Sequence, residues 1–312
     1  MALPLSQIRA SLEDGLLSFP VTDFDAAGNF DPAGYAARLE WFVTHHVSSV
    51  FVAGGTGEFF SLSETEYRQI VEVTGETVQE KIPMIASVGR SIPEAVRFAG
   101  IAEKAGINAL LLMPPYLTEC PQDGIYEYAR TIMNNTSLPV IYYNRGNGVL
   151  SAPYVQQLAD RCENFIGLKD GTGNMQDLND IIKTVGSRLS YIGGVPTAEI
   201  ISEAYLSIGV NTYSSAVFNF VPELANHFYA SLRAGNREVV AAILKHFFIP
   251  FVRLRSKKHG YAVSLIKAGA RLIGRSAGDV RAPLTMPSAE ETRQLEEMIQ
   301  RSASLVGMPH PV

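Results

Sequence analysis

A chain of 312 residues, 46% hydrophobic and 18% charged, has room for two average domains or one large α/β barrel with a sizeable core. Its net charge of -5 excludes a general electrostatic attraction to nucleic acid or anionic membrane, so an anionic ligand would need local positive groups. No uninterrupted apolar run reaches the roughly 18 residues of a membrane span.

The chain opens with a short polar-apolar lead-in, and Gly15 to Thr22 reads as a first strand. Asp31-Pro32 offers an N-cap and a first-turn proline for a helix with Tyr35, Leu39, Phe42 and Val43 on one face. Ser49 to Ala53 is a second strand, followed by the turn Gly54-Gly55-Thr56-Gly57-Glu58. Ser63 with Glu66 forms a capping box ahead of a helix carrying Ile70, Val71 and Val78. Pro83 to Val88 is a third strand, and Ser91 with Glu94 opens a helix that ends near Ala105-Gly106. Further strands fall at Ala109 to Met113, Leu138 to Tyr143, Phe165 to Lys169, Leu189 to Gly193 and Val210 to Ser214, with helical segments between them.

Eight strand-helix repeats predict an α/β protein of the (β/α)8 TIM-barrel type, whose site lies at the C-terminal ends of the strands. A doubly wound open sheet is the alternative, but it usually has fewer strands. From Pro222 onward the pattern is helical and adds no clear strand, with Leu224, Phe228 and Leu232, then Ala241, Leu244 and Phe248, and a third capping box at Ser288 and Glu291. We therefore expect a catalytic barrel over residues 1–235 and a small C-terminal helical appendage over 236–312, with a soft boundary.

The expected rim collects Gly54 to Glu58, Tyr116, Tyr143 to Arg145, Lys169, Gly193-Gly194 and Ser214-Ser215. Lys169 ends an apolar strand, and strand alternation puts Gly167 on its side, leaving room beneath the amine. Desolvation lowers a lysine pKa and makes the amine a nucleophile able to attack a ketone. A lysine snorkelling into solvent or pairing with Asp170 fits this segment equally well. Backbone N-H groups at Gly55 and Thr56, with the Thr56 hydroxyl, can hold a carboxylate, or the loop is only a tight turn. Tyr143 shares a side with Ile141 and can pass protons, or it is a packed tyrosine with a satisfied hydroxyl. Arg145 can simply be solvated, and Arg253 to Lys258 reads as a charged helix face or loop. His45 and His46 are adjacent and the other four histidines are scattered without metal-type spacing, which disfavours a metal-dependent mechanism, and no cofactor is expected. Cys120 and Cys162 are far apart and without metal spacing, and the start lacks a basic region followed by an apolar run. That reads as a reduced, soluble, cytoplasmic protein.

Four segments, Gly54-Gly55-Thr56-Gly57-Glu58, Tyr143-Asn144, Gly167-Leu168-Lys169 and Ser215 to Asn219, together resemble the dihydrodipicolinate synthase and N-acetylneuraminate lyase superfamily. The resemblance runs from about Leu16 to the C-terminal helices. It implies Schiff-base chemistry at Lys169, a catalytic Tyr143, a carboxylate loop at Gly55 and Thr56, and a homo-oligomer, usually a tetramer built from dimers. The synthase carries a threonine at the place of Gly55, a second tyrosine at that of Leu117 and an arginine at that of Gly148. Their absence argues against lysine biosynthesis.

The fuller strings, Gly54 to Leu62, Tyr142 to Arg145, Gly167 to Gly173 and Tyr213 to Glu223, look like the 5-dehydro-4-deoxyglucarate dehydratase family. That resemblance implies dehydration and decarboxylation of a sugar diacid to 2,5-dioxopentanoate. Lys169 would be the covalent catalyst and Tyr143 the proton shuttle. Gly55 and Thr56 would hold the near carboxylate, with Gly194 in the substrate site and Arg145 or Ser215 toward the far end. The competing expectations are an aldolase releasing pyruvate from a 2-keto-3-deoxy sugar acid, and a keto-acid sensor without turnover.

Overall fold

The computed structural model describes residues 3–116 and 119–307. Eight strands run in chain order: β1 (Leu17–Ser18), β2 (Ser49–Val52), β3 (Met84–Val88), β4 (Ala109–Leu112), β5 (Val140–Asn144), β6 (Phe165–Asp170), β7 (Ser190–Gly193) and β8 (Thr212–Tyr213). Each is parallel to its neighbour in that same order. The cylinder closes where Leu17 bridges Ser214, with Ser215 N donating to Leu17 O at 2.9 Å. Strands buried on both faces need continuous apolar runs, and β2 and β4 are buried along their whole length.

β1 is shorter than its predicted run because Pro20 has no N-H to give the ladder. β8 ends early because the backbone changes partner there: Ser214 N still donates to Gly193 O of β7, while Ser215 N turns to β1. An additional helix, α1 (Leu5–Glu13), occupies the expected lead-in and buries Ile8, Ser11 and Leu12. It sits against the start of β7, where Arg9 reaches Arg188 O at 2.7 Å and Ser190 donates to Glu13 at 2.6 Å.

The outer helices are α2 (Pro32–Thr44), α3 (Glu64–Val78), α4 (Ile92–Lys104), α5 (Gln122–Met133), α6 (Ala152–Arg161), α7 (Met175–Val185), α8 (Ser202–Ser207) and α9 (Pro222–Arg233). Asp31 caps α2, and both predicted capping boxes form at Ser63/Glu66 and Ser91/Glu94. These caps satisfy N-H groups that a helix cannot bond internally.

Four further helices follow: α10 (Arg237–Ile243), α11 (Ile249–Arg255), α12 (Tyr261–Leu272) and α13 (Ala289–Val306), the last opened by the Ser288/Glu291 capping box. Between α10 and α11 the chain takes a wide π turn over Leu244–Phe248. It lies just before Pro250, which cannot donate to the preceding helical turn. The C-terminal part is stitched to the barrel mouth: Phe24 N donates to Ala277 O, Arg38 to Arg275 O and Arg281 N to Glu58. One hydrophobic cluster runs from Ile8 to Leu305 through both parts of the chain. Among the described residues no helix is long and apolar enough to cross a membrane.

Candidate active site

A cavity of about 460 Å³ opens at the C-terminal ends of the strands, within the roughly 300–1,000 Å³ common for small-molecule sites. Of the anticipated residues, Gly55, Thr56, Tyr143, Arg145, Lys169 and Gly194 all line it. Ser215 does not. It is fully buried with its hydroxyl donated to Glu199 at 2.6 Å, and the neighbouring Ser214 faces the cavity instead.

The β5–β6 register brings Lys169 and Tyr143 together. A shift between Val140 and Ile141 skips Ile166, so that Ile141 pairs with Gly167 and Tyr143 with Lys169. Residues paired across neighbouring strands project to the same side, and the Lys169 amine lies 3.8 Å from the centre of the Tyr143 ring. Lys169 Nζ donates to Gly194 O at 3.1 Å, and Tyr143 Oη donates to the same oxygen at 2.9 Å. One carbonyl thus locates both groups.

The space for the amine comes from Gly194 and not, as alternation suggested, from Gly167. A Cβ on Gly194 would stand 2.5 Å from Lys169 Cγ and Nζ, whereas one on Gly167 would meet Ser190 O and Ile141. Lys169 is only 3% exposed, which excludes snorkelling into solvent. Asp170 is engaged elsewhere, accepting from Thr172 and from Tyr205.

Burial pushes the Lys169 pKa below the ordinary 10.5, because the ammonium loses its hydration; the neighbouring Tyr143 opposes this only in part. Burial alone would raise the Tyr143 phenol. The Lys169 and Arg145 charges, with a 2.8 Å hydrogen bond from Arg145 Nη1 to Tyr143 Oη, outweigh it and bring the phenol below its usual 10.0. The pair is therefore poised for proton transfer beside a nucleophilic amine.

Across the mouth, among the described residues, the N-H groups of Gly55 and Thr56 and the Thr56 hydroxyl have no protein acceptor. Free donors lining a cavity suit an anion. A Cβ on Gly55 would meet nothing within 4 Å, so the missing side chain leaves open volume there. A Cβ on Gly148 would strike Pro114 Cβ at 2.6 Å, which leaves a larger side chain no room. Leu117 lies outside the described residues.

Spacing alone did not expose a buried ion pair behind this loop. Glu58 has a left-handed backbone, with φ 58°, and its fully buried carboxylate meets the fully buried Lys267 of α12 at 2.8 Å. Strained backbone of this kind persists where its surroundings over-determine it. Here Lys267 and Arg281 N hold the far end of the Gly54–Glu58 loop. The C-terminal helices also supply cavity walls through Phe251, Arg255, Val263 and Ile266. The charges of Arg253 to Lys258 suggest a solvated face, yet the spacing of Arg255 from Phe251 puts these two on one side of α11. Among the described residues no cluster of three metal-ligating side chains occurs.

A closed parallel barrel with a cavity at the C-terminal ends of its strands, holding a buried lysine beside a phenol, is the architecture of a barrel enzyme, and the relatives of this chain make it a lyase. Residues 13–302 match the Dihydrodipicolinate synthetase family, and the chain belongs to it. It is 45% identical to the probable 5-dehydro-4-deoxyglucarate dehydratase of a Pseudomonas putida strain, over 95% of this chain and 97% of that protein. Identity is 44% to the probable enzyme of that name from Pseudomonas fluorescens, covering 96% and 98%, and 43% to the 5-dehydro-4-deoxyglucarate dehydratase of Pseudomonas putida, covering 95% and 97%. Among solved structures, dihydrodipicolinate synthase from Oceanobacillus iheyensis shares the fold with a TM-score of 0.87, at 24% identity over 96% of this chain and 99% of that one.

Proposed function

We propose that this chain dehydrates and decarboxylates 5-dehydro-4-deoxy-D-glucarate to 2,5-dioxopentanoate, carbon dioxide and water through an imine on Lys169. The observation that carries the reading is the placement of a buried, pKa-lowered amine beside a phenol, within one cavity that also contains a loop of free N-H donors. The names of relatives at 43–45% identity support the substrate.

The near carboxylate would sit on Gly55 and Thr56, presenting the ketone to Lys169. The amine adds to the carbonyl, Tyr143 relays the proton that lets water leave, and an iminium forms. Its charge acidifies the adjacent methylene. Loss of that proton gives an enamine, which expels hydroxide from the next carbon and leaves a conjugated iminium. The bond to the distal carboxylate then breaks, carbon dioxide departs, and its electron pair flows along the conjugated system to nitrogen. Reprotonation and hydrolysis return the lysine and release the aldehyde product. The one water added in hydrolysis balances the one lost in imine formation, so the net loss is one water and one carbon dioxide.

The reading extends to a cytoplasmic homo-oligomer, which membership of the family supports. The test is incubation with the diacid, measuring carbon dioxide against pyruvate, with borohydride reduction and mass spectrometry to locate the adduct. Pyruvate without carbon dioxide would make it an aldolase, and an adduct on another residue would remove Lys169.

A further inference from the structure

The cavity carries a second fixed positive charge besides Arg145. Arg255 reaches it from α11, and its Nη1 donates to Pro196 O at 2.7 Å and Thr197 Oγ1 at 2.5 Å. Those two bonds tie the guanidinium to the loop after β7. Among the described residues its Nε and Nη2 make no hydrogen bond, and no carboxylate stands within 4.0 Å of it. It is half-buried among Phe251, Val195, Val263 and Ile266. A cation in such walls loses hydration, so a partner delivered by a ligand is worth more there than at the surface.

Arg145 is less suited to that task. It is exposed, and its Nη1 is committed to the Tyr143 hydroxyl. Position around the ring also favours Arg255. In the order β1 to β8 of a closed cylinder, the loops after β2 and β7 are three strands apart, close to opposite, with Lys169 of β6 beside the second. A ligand with one carboxylate on Gly55 and Thr56 and its ketone at Lys169 extends from there toward Thr197 and Arg255.

We propose that Arg255, oriented by Pro196 O and Thr197, is the specificity-determining residue that receives the distal carboxylate of the diacid on its Nε and Nη2 edge. This deepens the dehydratase reading and rests on it. The guanidinium edge offers two parallel donors that match a carboxylate. The interaction ends with the reaction: once carbon dioxide has left, that end of the molecule is an aldehyde, and Arg255 grips the diacid but not the product. A keto monoacid such as pyruvate never reaches it.

The experiment compares wild type, Arg255→Gln and Arg255→Lys in diacid turnover and in inhibition by pyruvate. Loss of a charge-assisted contact worth roughly 1.5–3 kcal/mol should raise KM for the diacid about 10- to 100-fold in Arg255→Gln. kcat should stay within about threefold and the pyruvate inhibition constant unchanged, and Arg255→Lys should recover part of the loss. An unchanged KM, or a KM and pyruvate constant that rise together, overturns the assignment. Wild-type enzyme that releases no carbon dioxide from the diacid overturns the dehydratase reading instead.

Discussion

Gly194→Ala tests whether one backbone carbonyl aligns Lys169 and Tyr143 for the proposed chemistry. The added methyl would stand 2.5 Å from Lys169 Cγ and Nζ and 2.6 Å from Asp170 O, where ordinary contact begins near 3.4 Å. A gap of roughly 1 Å must open, and overpacking of this kind costs about 1–3 kcal/mol. Asp170 is held in the ladder between β5 and β7, so the Gly194 segment has to move, and its carbonyl with it. That carbonyl is the acceptor for both Lys169 and Tyr143. Displacing reacting groups by about 1 Å lowers turnover on the order of 100-fold. Steady-state kcat, the rate of borohydride trapping with pyruvate, and urea denaturation as a check on folding measure the three consequences. A folded variant with kcat within threefold of wild type and unaltered trapping would refute the reasoning.

Arg145→Met should shift the alkaline-rising limb of the kcat/KM profile to higher pH, because removing that charge lets the pKa values of both Tyr143 and Lys169 climb back toward their ordinary ranges; a limb that stays put disproves the coupling. Burial raises Glu199 from 4.5 to about 7, so between those values the folded chain keeps a proton that the unfolded chain has released. Its contribution is fully present below about pH 4.5 and is lost as pH rises through 7, a change of roughly 3 kcal/mol. Glu199→Gln should therefore flatten the fall in unfolding free energy between pH 5 and 8, and an identical slope in the variant counts against it. Lys267→Met leaves Glu58 buried without its cation and should destabilise the fold by about 3–5 kcal/mol. Adding Glu58→Gln should restore much of that in urea melts, which an incidental packing role for Lys267 would not produce.

Much of the barrel was readable because its signals are local. Strand-helix repetition, the capping boxes at Ser63, Ser91 and Ser288, and Asp31 before Pro32 each depend on residues within a turn or two of one another, and each occurs where expected. α1 escaped notice because it is nine residues long, lacks a side-chain cap and buries only three residues. The ends of β1 and β8 were overestimated because composition cannot show where a ladder exchanges partners. Residue type and neighbouring motif pointed to Lys169 and Tyr143, and the two meet in the cavity. Arg255 and Lys267 had no such motif, and Ser215 was placed one position away from the serine that faces the cavity.

By itself the sequence determined the repeat and the helix starts, since periodicity and capping are properties of short segments. Closure of the cylinder decided the rest. It set Tyr143 opposite Lys169 through a one-residue register shift, placed Gly194 O between them, and brought Arg255 to the cavity wall from a helix more than eighty residues downstream of the lysine. Such meetings depend on how strands pair and helices pack across the whole chain, and no local pattern of side chains encodes the distance between residues so far apart.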